Sequence, residues 1–187
     1  MDEEPRPALT SFWTGPRPTG RSTCSVLLST IPALSDAPAR PLLASPLGSR
    51  HLHDLALGHA GAHGGSGPWD DDLDAIGETY LERGGEFLVG VDGQQIVAMG
   101  ALRRCDTDRA ELKRMRVHPC VQRRGFGRRL LHSLEERALE LGYRTLVLDT
   151  TVQQQAARAL YLNEGYREKG RGHAGSFELV FFEKQLA

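Results

Sequence analysis

Between Arg109 and Gly142 the chain runs directly from a strand through a basic loop into an amphipathic helix, and few folds accommodate that junction. "RAELKRMRVHP" reads as the strand, antiparallel to the one before it. "FGRRLLHSLEERALELG" sets Phe126, Leu130, Leu131, Leu134, Ala138 and Leu141 on one stripe, with Gly142 at its C-terminal cap. The loop between them, "QRRGFGRR", holds four arginines around Gly125 and Gly127. Glycine reaches backbone angles closed to other residues and lets a ligand approach the main chain. The first turn of the helix leaves its N–H groups unpaired, and the helix dipole adds partial positive charge there. Together these features suit a pyrophosphate, with the arginine side chains at the rim.

Other uses of such a loop fit less well. There is no G-K-[ST], so the loop is not a nucleotide P-loop. It also lacks the third glycine and the preceding parallel unit of a dinucleotide-binding turn. The formal net charge of −1 argues against a nucleic-acid-binding surface. Cys24, Cys105 and Cys120 show no CxxC spacing, so reduced thiols are expected. His51, His53, His59 and His63 have no second ligand cluster to complete a metal site; they are read as loop histidines, and no metal is expected. The acidic start and the shortness of "VLLSTIPAL" point to a soluble cytoplasmic protein without a membrane span.

Around this junction the pattern is that of a mixed α/β domain. All ten prolines but Pro119 precede residue 70, and "GHAGAHGGSG" lies in the same part. Residues 1–20 are expected to be a disordered tail, and 21–69 a weakly structured segment with one strand in "STCSVLLST" and one helix near "SRHLHDLAL". The core is assigned to residues 70–187. It opens with a helix over "DDDLDAIGETYLERGG", its apolar side carrying Leu73, Ile76, Tyr80 and Leu81. "EFLVGV" and "QQIVAMGALRR" form a hairpin around "DG". "TLVLDTT" is a buried strand, "QQQAARALYLNEG" a short helix, and "YREKGR" with "SFELVFFEKQ" a closing hairpin. "GRGHAGS", with His173, is read as the loop between those last strands. "FELVFFEK" offers an apolar edge strand through which a second copy can pair as a homodimer.

"ELKRMRVHPCVQRRGFGRRLL", followed by "LVLDTT" and "AARALYLNEGY", closely resembles the GNAT superfamily of acyl-CoA-dependent N-acyltransferases over residues 70–187. Gln122-Arg123-Arg124-Gly125-Phe126-Gly127 matches the family's Q/R-x-x-G-x-G/A. The resemblance implies a single domain with a mostly antiparallel twisted sheet, two splayed parallel strands and flanking helices. Main-chain amides from Arg123 to Arg128 would hold the pyrophosphate of acetyl-CoA. Met115, Arg116 and Val117 would pair through their backbone with the pantetheine arm like an added strand, and an amide near Met115 would face the developing oxyanion. Gln154 stands where many members carry an asparagine on the pantetheine.

The implied reaction is acetyl transfer to a primary amine by direct attack in a ternary complex. Tyr161 matches the family's thiol-side tyrosine and is the candidate general acid. Glu111, early on the strand before the loop, and Asp149, at the end of the other splayed strand, are rival candidates for the base. His118 is read as a turn residue at the strand exit. A small amine or amino acid is favoured as acceptor over protein N-termini or lysines. A non-catalytic acyl-CoA-binding module stays open as the alternative.

Overall fold

The computed structural model describes residues 27–30, 48–64, 67–92 and 95–187. Expectations for the rest, including the tail over 1–20 and Cys24, lie outside the described residues. Strand β1 (Leu27–Thr30) and helix α1 (Ser49–His59) precede a run of short pieces: 3-10 turns at Pro68–Leu73 and Leu81–Arg83, with α2 (Ile76–Thr79) between them. Strands β2 (Glu86–Asp92), β3 (Gln95–Arg104) and β4 (Arg109–Val117) follow, then α3 (Phe126–Glu140), β5 (Thr145–Thr151), α4 (Gln155–Asn163), β6 (Arg167–Ala174) and β7 (Phe177–Gln185).

The strands form one seven-stranded sheet in the order β1-β2-β3-β4-β5-β7-β6. All neighbours are antiparallel except β4 and β5, which are parallel. Strand alternation divides the core between the two faces of the sheet. On β2, Leu88 points to the face covered by α3, packing with Leu130, Leu131 and Leu134. Phe87 and Val89 point to the opposite face, against Leu52 of α1 and Ile76 and Tyr80 of the short pieces.

Three expectations change. The single helix over residues 70–83 is broken, although its apolar residues Leu73, Ile76 and Tyr80 are buried. Ala75 leaves helical geometry at φ −124°, ψ 44°, and the carboxylates of Asp70 and Asp72 turn to a distant arginine rather than serving a first turn. Local helix propensity loses to those tertiary contacts. Secondly, β7 lies between β5 and β6, so "FELVFFEK" is paired on both sides and offers no edge to a second copy. Thirdly, His173 belongs to β6, paired with Glu178, and the turn is confined to Gly175 and Ser176.

Candidate active site

The site begins with an irregularity in β4. Met99 pairs with Arg116 and Ala101 with Lys113, so Gly100 alone faces both Arg114 and Met115, a β-bulge. Arg114 takes up the extra length at φ 56°, a left-handed conformation costing a non-glycine residue roughly 1–2 kcal/mol. Gly100 fits closely opposite: a Cβ there would stand 2.7 Å from Leu134 Cδ1 and 2.8 Å from Met115 Sδ, so those side chains would have to shift.

Long-range ion pairs hold Arg114 in place. Its Nε donates to Asp72 Oδ2 at 2.8 Å and its Nη1 to Asp70 Oδ1 at 2.9 Å, while Nη2 meets Asp72 Oδ1 in a closer contact. The buried Tyr80 hydroxyl also donates to Asp72. Burial favours the neutral Asp72 carboxyl, yet the Arg114 and Tyr80 hydrogen bonds outweigh it and hold the group below its ordinary value. His53, expected in a loop, instead sits in α1 with its side chain only 3% exposed. Burial, then the charges of Arg116 and Arg114, push its pKa down to about 3. The imidazole is therefore neutral, and its Nε2 lies 3.2 Å from Asp70 Oδ1 without forming a charged pair.

Three residues before this bulge β4 and β5 already part. They pair only at Arg109–Thr145, Ala110–Leu146 and Glu111–Val147. Beyond Glu111 the β5-facing edge of β4 has no strand partner, while β5 stays paired with β7 through Thr151. A cavity of about 490 Å³ opens in the gap. One wall is Leu112 to Arg116 of β4, and the facing wall is Asp149 to Thr151 with Gln154 and Tyr161. His53, Leu57 and Asp70 close one end, and the β6–β7 turn from Ala174 to Phe177 adjoins it. That turn meets the segment after α1 so tightly that a Cβ on Gly64 would lie 3.0 Å from Phe177 Cε2.

The candidate residues fall in different places. Asp149 and Tyr161 both line the cavity, Asp149 exposed and Tyr161 buried. Tyr161 packs edge-on to Tyr166 at 5.5 Å, and burial pushes its phenol up to about 12. Glu111 is outside the cavity wall: its carboxylate binds its cross-strand partner Arg103 and Lys113, as a ladder charge does. Gln154 lines the cavity, while its Oε1 accepts from the Thr150 hydroxyl at 2.9 Å and caps the end of β5. Arg116 lies in the wall with Nη1 donating to the Met115 carbonyl at 2.9 Å.

The arginine–glycine loop follows at the end of β4. Gln122 Nε2 donates to the Val117 carbonyl at 2.9 Å, tying the loop to the strand. His118 Nδ1 accepts from the Cys120 amide, the turn role expected of it. Gly125 stands at the helix N-cap at φ 84°, with open space where a Cβ would be, so the backbone angle alone demands glycine. Arg129 N donates to Gly125 O at 3.1 Å, and the preceding amides of Phe126, Gly127 and Arg128 belong to the unpaired first turn. Arg123 and Arg124 are exposed, whereas the Arg128 side chain is bound to Glu164 at 2.6 Å. Among the described residues, no group of three or more His, Cys, Asp or Glu side chains is placed to hold a metal ion. No helix among them is long and apolar enough to cross a membrane.

Comparison with known proteins agrees with this geometry. The family model for the acetyltransferase (GNAT) family matches residues 52–166. An IAA acetyltransferase of Azospirillum brasilense is 38% identical over 104 residues, covering 54% of this chain and 67% of that protein. The chain spans about half the length of several other N-acetyltransferases that it matches. Among solved structures, an acetyltransferase from Streptococcus agalactiae superposes with a TM-score of 0.72 at 20% identity, covering 85% of this chain and 98% of that one. A GNAT acetyltransferase from Elizabethkingia anophelis with acetyl-CoA bound gives 0.57 at 18% identity, covering 86% and 98%. At these identities the structures speak to the fold.

Proposed function

Because the chain belongs to the GNAT family of acetyltransferases, we propose that it moves an acetyl group from acetyl-CoA to the primary amine of a small molecule. The observation carrying this reading is the splay of β4 from β5 over a cavity whose β4 wall leads directly into the glycine loop. The residues fit the donor in two ways. The first-turn amides behind Gly125 suit its pyrophosphate, and the β4 edge beyond Glu111 suits its pantetheine amides. The acetyl-CoA bound to the Elizabethkingia relative supports the same assignment.

Acetyl-CoA supplies an activated thioester. The amine nitrogen forms a bond to the acetyl carbon, the carbon–sulfur bond breaks, and the sulfur leaves with the electron pair. An amide beside the Arg114 bulge faces the developing oxyanion, in a position fixed by the Asp70 and Asp72 pairs. An ammonium of pKa about 10.4 must first lose a proton. Asp149, the carboxylate on the β5 wall of the cavity, takes it through water, whereas Asp70 is held by Arg114. Glu111 lies outside the wall. Tyr161 acts at the sulfur. Burial raises its phenol to about 12, which disfavours complete proton transfer to the sulfur. Tyr161 therefore donates a hydrogen bond to the leaving sulfur, and solvent completes the protonation.

The test is thiol release from acetyl-CoA across a panel of primary amines, with acetyl-CoA binding followed by calorimetry. Amine-dependent release supports transfer. Tight binding without release on any amine would instead mark a binding module.

A further inference from the structure

Arg116 has a feature that acetyl transfer alone does not use. Its guanidinium lies in the cavity wall, close enough to feel Asp149 and Tyr161 electrostatically. One nitrogen, Nη1, donates to the Met115 carbonyl. Nε is sealed from solvent and has no hydrogen-bond partner. Among the described residues no carboxylate comes within ion-pair distance of Arg116, although Arg114, two residues earlier in the same wall, takes both Asp70 and Asp72. A cation largely withdrawn from water and without a carboxylate partner is costly to keep unless an anion offsets its charge. A planar guanidinium with spare N–H groups is matched by a carboxylate.

We propose that Arg116 anchors the carboxylate of the acceptor, so that the amine acetylated here belongs to a free amino acid. Arg116 and Asp149 then divide the acceptor between them. The guanidinium takes the carboxylate, and Asp149, on the opposite wall, takes the proton from the amino group. The lowered charge stability of Arg116, with burial and the nearby Arg114 bringing it down to about 10, is relieved when an anion binds. This inference rests on the acetyl-transfer reading for its reaction, but not for its binding step.

The experiment pairs L-amino acids with the amines left by removing their carboxyl group: alanine with ethylamine, methionine with 3-(methylthio)propylamine, phenylalanine with phenethylamine. Thiol release from acetyl-CoA is measured for wild type, Arg116→Met and Arg116→Lys. In the wild type the carboxylate-bearing member of at least one pair has the higher kcat/KM by about tenfold to a hundredfold, the worth of one charged hydrogen-bonding contact. Arg116→Met collapses that ratio towards one, chiefly by raising KM for the amino acid, and Arg116→Lys restores part of it. Calorimetric titration of the same pairs into the protein–CoA complex reads the anchor without turnover. If no amine is acetylated yet amino acids bind in an Arg116-dependent way, the transfer reading fails and the anchor stands. Equal use and equal binding of both members of every pair would overturn the anchor. So would a preference for succinyl-CoA over acetyl-CoA that vanishes in Arg116→Met, because the carboxylate would then arrive on the donor.

Discussion

Removing the Asp72 side chain tests whether long-range ion pairs hold the β4 bulge. Asp72 takes a two-pronged contact from Arg114 and a hydrogen bond from Tyr80, with the Arg114 and Asp72 side chains 8% and 14% exposed. Breaking a buried pair by deleting one partner costs about 3–5 kcal/mol. Asp70 keeps its bond to Arg114 Nη1, and water can reach the vacated position, so Asp72→Ala belongs at the lower end, about 3 kcal/mol. At roughly 2–4 °C per kcal/mol for a chain of this size, the melting temperature should fall by about 6–12 °C. The loss exceeds the roughly 1–2 kcal/mol of left-handed strain at Arg114, so the bulge should relax and turnover should fall with it. The control is Glu178→Ala, which removes an exposed pair with Arg171 worth at most about 1 kcal/mol, or about 4 °C. Calorimetric melting decides. A shift for Asp72→Ala no larger than the control would refute the reasoning. The same pair predicts acid sensitivity. The folded Asp72 pKa lies below the unfolded value of about 3.9, so its contribution is complete above that pH and disappears as pH falls through the folded value. Asp72→Asn should lack this component.

Gly125→Val should lower acetyl-CoA affinity at least about tenfold in calorimetry while the circular dichroism spectrum is kept, because φ 84° excludes a β-branched residue. Unchanged affinity would remove the loop from the donor site. Tyr161→Phe should cut kcat by about tenfold to a hundredfold with little change in acetyl-CoA affinity, and the loss should be independent of pH below about 11 because the phenol stays protonated. A loss confined to KM would place Tyr161 in packing alone. Because folded His53 titrates near 3 and unfolded histidine near 6.5, wild-type stability should decline by up to about 1.4 kcal/mol per pH unit as pH falls below 6.5. His53→Gln should flatten that slope in denaturant titrations, and an identical slope would show that His53 is charged in the fold. Gly100→Ala should destabilise by about 1–3 kcal/mol, since its Cβ meets Leu134 and Met115 below 3 Å; a neutral substitution would mean that the bulge yields.

The loop and its helix were legible because both signals are local: Gly125 announces its backbone angle, and Leu130, Leu131, Leu134 and Ala138 announce a face. Tyr161 and Asp149 could be placed through the order of "LVLDTT" and "AARALYLNEGY", which resembles the family's. The Arg114 network could not be read the same way. Its partners Asp70 and Asp72 stand more than 40 residues earlier, in a stretch whose acids look like ordinary helix-opening charges. His53 was hidden by its setting among other histidines and glycines. The one usable signal was the buried stripe Leu52, His53 and Ala56 at helical spacing, which puts a polar group on an apolar face. Strand order was equally out of reach, since "FELVFFEK" has the same composition whether it borders solvent or stands between two neighbours.

The interior position of β7 has a consequence for how the protein comes into being. Beyond Val147 the arm of β5 that bounds the crevice is zipped to β7, a segment synthesised after both walls. A chain still lacking that segment has the strands of the crevice but nothing to keep them apart. Binding competence should therefore arrive late and all at once during folding, so a proline at Val180 in β7 would silence the pocket from a position outside its lining.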